Sequence, residues 1–223
     1  MKKMLAVVMV VGLIAAVVAI GQEVTSVNAV GFTKIEIGPG GLALVAPVFE
    51  SFGDATLNDI VGDQLPNGST AYIFDRASGT YKISTKLKGT GWDAAGTNTL
   101  FRGDALWLRN DGSVTATVSM MGEVPYTYND GKTTTVYSIE GVDAVGYAFP
   151  TDVVWTNTVL AGALASGDLL YIFNTGTGSF DPYTKLKGTG WDTPAGLTIE
   201  AGRAFFVNSS SSIDWTEIAP YDL

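Results

Sequence analysis

An all-β fold, made of two tandem antiparallel β-sandwich or partly open barrel domains of similar fold, is what this sequence predicts. The first observation behind it is a duplication. Thr85-Lys86-Leu87-Lys88-Gly89-Thr90-Gly91-Trp92-Asp93 recurs letter for letter at 184–192, and the offset of 99 holds without a gap from Tyr72 (matching Tyr171) through Gly103 (matching Gly202). A unit written twice marks a tandem array. The second observation is a succession of short runs rich in β-branched and aromatic residues, separated by Gly, Pro and Asn turns. The third is that no long stretch carries a helical apolar period.

Residues 1–21 stand apart. Lys2 and Lys3 precede an apolar run from Met4 to Ile20, and the small residues Ala19 and Gly21 come just before polar Gln22 and Glu23. This is the three-part pattern of a secretory signal peptide, with Ala19 as a neighbouring cleavage point. The run falls short of the about 20 apolar residues that a spanning helix needs. A membrane is therefore expected as a partner only through an uncleaved leader. Residues 22–125 form the first expected domain and residues 126–223 the second, joined by a short junction that favours packing of the two against each other.

Composition excludes several function classes. With 13 basic against 22 acidic residues the net charge is −9, which suits nucleic acid poorly, since phosphate neutralisation needs clustered Lys and Arg. There is no cysteine and no histidine. That removes disulfides, thiolate metal sites, the commonest general base and every Ser-His or Cys-His nucleophile pair. The expectation is no enzyme, no cofactor and no metal.

In chain order, Val24 to Ile37 reads as a strand whose apolar residues change face near Gly31, the mark of a bulge or kink. Gly38-Pro39-Gly40-Gly41 is a turn, and Leu42 to Phe49 a second strand. Leu57, Ile60 and Val61 fit one helical turn behind a Thr56 or Asn58 cap. Thr70 to Phe74 and Thr80 to Leu87 form a hairpin around Arg76-Ala77-Ser78-Gly79. Ala105 to Leu108 and Val114 to Val124 complete the unit. In the second copy Lys132 to Ile139 replaces the first strand, and Ala144 to Phe149 replaces Leu42 to Phe49 with Pro47 and Pro150 aligned. Leu169 to Phe173, Ser179 to Leu186, Ala204 to Val207 and Ile213 to Ile218 follow.

The repeated stretch has two readings. Strand alternation puts Leu87 on one face and Lys86 and Lys88 on the other. In the structural reading Leu87 and Trp92 enter the core, the lysines guard an exposed strand face, and Asp93 ties the Gly-rich turn. In the binding reading Trp92 and Trp191 stack on sugar rings while Asp93, Asp192, Lys88 and Lys187 hold hydroxyls. A calcium site from Asn58, Asp59 and Asp63, or from Asp104 with Asp111, matches no regular loop spacing. Carboxylate pairs for glycoside hydrolysis arise by chance among so many acids, and they do not repeat: Asp75 aligns with Asn174 and Asp104 with Arg203. Gly31-Phe32-Thr33-Lys34-Ile35-Glu36 spells the start of a type IV pilin, but a Gly-Pro turn follows where a pilin has a long apolar helix.

Each unit runs from a strand through a Tyr-Ile-Phe hairpin and a Gly-Trp turn to Gly103-Asp104-Ala105-Leu106-Trp107, or in the second copy Gly202-Arg203-Ala204-Phe205-Phe206. In this the chain resembles secreted tandem β-repeat proteins of environmental bacteria. The resemblance implies export and a β fold, and no reaction.

The function expected is that of a non-catalytic extracellular structural protein, a self-assembling cell-surface layer or fibre subunit whose partners are copies of itself. The candidate assembly strand carries Val27, Val30, Phe32, Ile35 and Ile37, and would complete an open sheet edge of a neighbour. Its alternative is pairing within its own domain. The second function class is a secreted carbohydrate-binding module or adhesin with polysaccharide as partner, using the Gly-Trp-Asp turns.

Overall fold

The computed structural model describes residues 29–125, 134–188 and 190–221. Strand β1 (Val30–Ile37) alternates regularly: Ile35 and Ile37 are buried, while Val30 and Phe32 face out. It pairs antiparallel with β7 (Ala116–Glu123) in unbroken register from Val30–Glu123 to Ile37–Ala116. The bulge expected at Gly31 is absent. The apparent change of face is ordinary period-two alternation with apolar residues on both sides. Gly31 serves close approach instead. It stands opposite Gly122, and a Cβ at Gly31 would lie 2.6 Å from the Phe49 ring.

After the Gly38–Gly41 turn come β2 (Leu42–Val45) and a single helical turn, α1 (Leu57–Ile60). Thr56 begins that turn, and its N–H and hydroxyl both donate to Asp59 Oδ2, at 3.0 and 2.7 Å. Then β3 (Thr70–Asp75) and β4 (Thr80–Leu87) make the expected hairpin, with Gly79 at a positive φ of 64° closing it. β5 (Gly91–Trp92), a 3-10 turn at Ala94–Thr97 and β6 (Leu106–Arg109) follow, in the sheet order β2-β6-β3-β4-β5. This sheet and the β1–β7 pair enclose one core, with Ile35, Leu57, Trp92, Leu106, Val118 and Met120 at its centre. Asn110 joins the two layers: its Nδ2 donates to the carbonyls of Ile37 (2.8 Å), Gly38 (3.2 Å) and Val114 (2.8 Å).

The second lobe uses longer strands. Its elements are β8 (Thr134–Gly146), β9 (Val153–Val154), α2 (Val159–Ala163), β10 (Leu169–Asn174), β11 (Ser179–Thr184), β12 (Thr198–Ile199) and β13 (Ala204–Ile218). The main sheet runs β11-β10-β13-β8, and β9 pairs with β12. β8 and β13 continue through a register shift between Ser209 and Ile213, where the first lobe breaks into separate strands. The proline-based alignment of the copies is corrected here. Ala144 stands opposite Phe206 as Leu44 stands opposite Trp107, so the offset in this strand is 100, whereas aligning Pro47 with Pro150 would put Leu44 level with Tyr147. The length difference therefore falls in the connections and leaves the pairing register intact. Trp155, Leu160, Leu170, Phe205, Val207 and Trp215 centre the second core.

The fold is all-β, a set of antiparallel sheets in a sandwich-like arrangement with no closed barrel among the described residues. The lobes meet through a third cluster, in which Leu44, Ala46, Ala105, Ala144 and Ala204 are buried against Phe74, Trp107, Phe173 and Phe206. Its contacts come in pairs. The Ala46 N–H donates to the Gly202 carbonyl (2.9 Å), and the Gly146 N–H donates to that of Gly103 (2.8 Å). Val45 bridges Arg203, and Val145 bridges Asp104. Phe74 meets Phe206 at 6.1 Å between ring centroids, and Phe173 meets Trp107 at 4.6 Å. Moving the first-repeat member of each pair forward, and the second-repeat member back, by 99 or 100 gives its mate, so the repeats pack like the halves of an isologous dimer fused in one chain.

Candidate functional site

In the repeated stretch Leu87 and Lys86 point the other way from the expected one, while Trp92 enters the core and Lys88 stays outside as the structural reading has them. Leu87 and Leu186 are exposed at 43% and 47%, whereas Lys86 and Lys185 are buried at 3% and 7%. The parity is set by Ser84 and Lys86, which share the inner face of β4. Lys86 Nζ reaches Asp63 Oδ1 at 2.5 Å, and Lys185 Nζ donates to the Ala161 carbonyl at 2.7 Å. Trp92 and Trp191 enter the cores, at 3% and 9% exposure. Their indole N–H groups donate to the Gly62 and Ala161 carbonyls, each at 3.1 Å. Ala161 lies in α2 and Gly62 just past the end of α1, where carbonyls lack intrahelical partners. Asp93 takes the Ser84 hydroxyl (2.8 Å) and the Thr85 N–H (3.0 Å), and Asp192 takes the Thr184 N–H at 2.5 Å.

The buried lysine and tryptophan of each copy thus form a knot that ties the strand to the helical turn or the loop just after it. Indoles at this depth present no face to a sugar ring. Lys88 and Lys187 are exposed, Asp192 is exposed and Asp93 is half-buried, all on the outside of this knot with no tryptophan face beside them.

Of the candidate assembly strand, Val27 lies outside the described residues. Ile35 and Ile37 are core, each 2% exposed. Val30 and Phe32 face outward at 64% and 63%, with Met121 (57%) directly opposite Phe32 and Lys34 Nζ 5.4 Å from its ring centre. Among the described residues β1 pairs with β7 alone, so the strand satisfies its own lobe on one side and leaves its other edge open. Residues 80–84 of β4 likewise pair only with β3, and Tyr81 and Ile83 there are exposed. The matching edge of β11 carries Pro182 at the place of Ile83, which removes a donor from that edge.

A cleft of about 710 Å³ opens where the lobes meet, lined by Glu50, Asp54, Arg76, Arg102, Asp104 and Tyr137 among others. Its charges serve the junction. Arg76 grips Asp143 through Nε (3.1 Å) and Nη2 (2.7 Å), donates to the Ser138 carbonyl and lies 4.9 Å from the Tyr137 ring centre. Arg102 pairs with Glu50 at 2.7 Å and donates to the Ala148 carbonyl at 3.0 Å. Asp104 accepts the Phe101 N–H at 2.8 Å, and burial pushes its carboxyl above the usual range. Burial, then the nearby Asp104 charge, raises the Tyr137 phenol as well. Of the neighbouring carboxylates, Asp143 and Glu50 are held by arginines.

The calcium candidates are dispersed among other duties. Asn58 Oδ1 accepts the Trp92 N–H (2.9 Å), Asp59 takes Thr56, Asp63 takes Lys86, and Asp111 pairs with Arg109 at 2.9 Å.

Sequence reasoning missed an aromatic groove of about 360 Å³ on the outer face of the first sheet, lined by Gly40, Leu42, Tyr72, Tyr81, Trp107 and Arg109. The signal was present: aromatic residues at 72, 74, 81 and 107 all share the parity opposite to the core residues Ala71, Ile73, Leu106 and Leu108. Rings on that face touch in series across the lobe boundary, from Tyr72–Tyr81 (6.5 Å) and Phe74–Tyr81 (5.3 Å) to Phe180–Phe206 (5.5 Å) and Tyr171–Phe180 (6.3 Å).

Among the described residues no helix is long and apolar enough to cross a membrane, and no three His, Cys, Asp or Glu side chains are grouped to hold a metal ion. No family model, curated protein or solved structure matches this chain.

Proposed function

We propose that this chain is a non-catalytic exported protein that assembles with copies of itself into a layer or fibre at the cell surface. The observation that carries the reading is β1: among the described residues an edge strand, open on one side, whose outer face bears Val30 and Phe32 with Met121 beside them. Open edges of this length and polarity add strands from other chains unless charge, proline or a covering loop prevents it. The second open edge, at residues 80–84, gives each chain two attachment points, which open-ended growth requires. Support also comes from Arg76 and Arg102 in the cleft between the lobes, which reach across to Asp143 and to the Ala148 carbonyl.

Purified protein lacking residues 1–21, followed by size exclusion and negative-stain microscopy over a concentration series, tests this. Concentration-dependent oligomers or filaments are expected, and Phe32→Lys with Val30→Lys should shift them to monomer without unfolding the lobe, because both side chains are outside the core. A monodisperse wild-type monomer at high concentration defeats the proposal.

A further inference from the structure

We infer that the outer aromatic face centred on Trp107 is a binding site for a linear, neutral polysaccharide. Tyr72, Tyr81 and Trp107 present ring surface from three adjacent strands, and the half-buried Trp107 donates its indole N–H to the Tyr81 hydroxyl at 3.3 Å. That hydroxyl, with its oxygen accepting from inside, keeps its own proton for a group arriving from solvent. Arg109 at the rim is 46% exposed, and its charge is balanced by Asp111 at 2.9 Å.

A site with ring faces, a directed hydroxyl and a neutralised cation fits a ligand of flat C–H faces and many hydroxyls. Anionic chains are disfavoured by the balanced rim and by the net charge of −9. The occupant is a chain of rings because the aromatic surface does not stop at the groove. Trp107 touches Phe180 of the second lobe at 5.9 Å, and Phe180 leads on to Tyr171, the repeat mate of Tyr72. The two repeats thereby lay one strip across their junction, and only the first supplies the arginine and the second phenol, so one end grips more strongly.

The tryptophans make this measurable. Trp92, Trp155, Trp191 and Trp215 are all buried, at 9% exposure or less, so a ligand-dependent change in emission reports Trp107. The probes are cellohexaose, mannohexaose, xylohexaose and chitohexaose in fluorescence titrations, with the corresponding soluble polymers in affinity gels. At least one is expected to shift the emission saturably and retard migration. Trp107→Ala should abolish the shift and weaken retention about tenfold. Tyr81→Phe and Arg109→Ala, both at exposed positions, should weaken retention by smaller factors, and the β1 variants should leave it unchanged. The inference is overturned if none of the four sugars alters emission or mobility, or if Trp107→Ala and Arg109→Ala both retain wild-type binding. It is equally overturned if Trp107 emission follows protein concentration alone, which would make a second copy the occupant.

Discussion

Burying a cation inside a small sandwich is costly unless its donors are satisfied. At Lys185 the head group donates to the Ala161 carbonyl, which also receives the Trp191 indole N–H, and Nζ lies 5.5 Å from the Trp191 ring centre. The two donors are therefore partly redundant at that acceptor, while the tryptophan additionally fills the core. Lys185→Met keeps the length of the stem, leaves the Ala161 carbonyl bonded and removes a buried charge. Its effect on unfolding free energy is expected to stay within about 1 kcal/mol. Trp191→Phe loses both a hydrogen bond and core volume and is expected to destabilise by about 1–3 kcal/mol. Urea unfolding of the two variants checks the order, and a Lys185→Met variant less stable than Trp191→Phe contradicts it. The same logic accounts for part of the identity between the copies: the lysine, tryptophan and aspartate at 86, 92 and 93, and at 185, 191 and 192, each hold a specific partner.

Between β1 and β7 two glycines face each other, and the chain that crosses them is the Phe49–Glu50 segment. Glu50 and Glu123 exchange backbone hydrogen bonds at 2.9 and 3.0 Å, and a Cβ at Gly122 would lie 2.1 Å from the Glu50 carbonyl oxygen. Backbone cannot yield as a side-chain tip can. Gly122→Ala is therefore expected to destabilise by about 1–3 kcal/mol. Gly38→Ala is its control, since a Cβ there meets nothing within 4 Å and its φ is not positive, and it should be neutral or slightly stabilising. Thermal unfolding of both separates packing from glycine content; equal shifts would defeat the account.

Most of the longer strands were legible in the sequence, down to the Arg76–Gly79 hairpin and the turn behind Thr56, but α2, β9 and β12 were not, and β8 and β13 each run on where two strands were expected. The faces were less so. Period-two alternation says which residues share a side, but β1 carries Val30 and Phe32 on one side and Ile35 and Ile37 on the other, and only pairing with β7 decides which is inward. At Lys86 the rule "lysine out, leucine in" failed because Asp63, in the loop after α1, offers the cation a partner behind the strand. The aromatic groove stayed hidden for the same reason: ring-rich positions read as core until the sheet shows them on the outer face.

At the scale of the whole molecule, the lobes are held by a symmetric apolar seam and an asymmetric set of charges. Arg76 crosses to Asp143, buried on the far lobe, and Asp104 lines the same cleft as Arg76 and Tyr137. The repeat mate of Asp104 is Arg203, so this cluster exists once. Burial raises the Asp104 carboxyl above its ordinary value of 3.8, against weaker opposing help from the Phe101 N–H and Arg76. The sign follows from which state binds the proton. As pH rises past 3.8 the unfolded chain releases it while the folded chain still holds it, so folding stability falls until the folded carboxyl also ionises, and is level in this term above that. Asp104→Asn keeps an oxygen for the Phe101 N–H and has no charge to bury. It is therefore expected to be more stable than the wild type at pH 7, with the advantage shrinking as pH falls and vanishing below the ordinary aspartate range. Urea unfolding of both proteins from pH 3 to pH 7 measures this difference directly, and the many other acids largely cancel between the two. A difference that does not change with pH, or a wild type that is the more stable at neutrality, would mean that Arg76 compensates Asp104 fully and that the junction favours the ionised carboxylate.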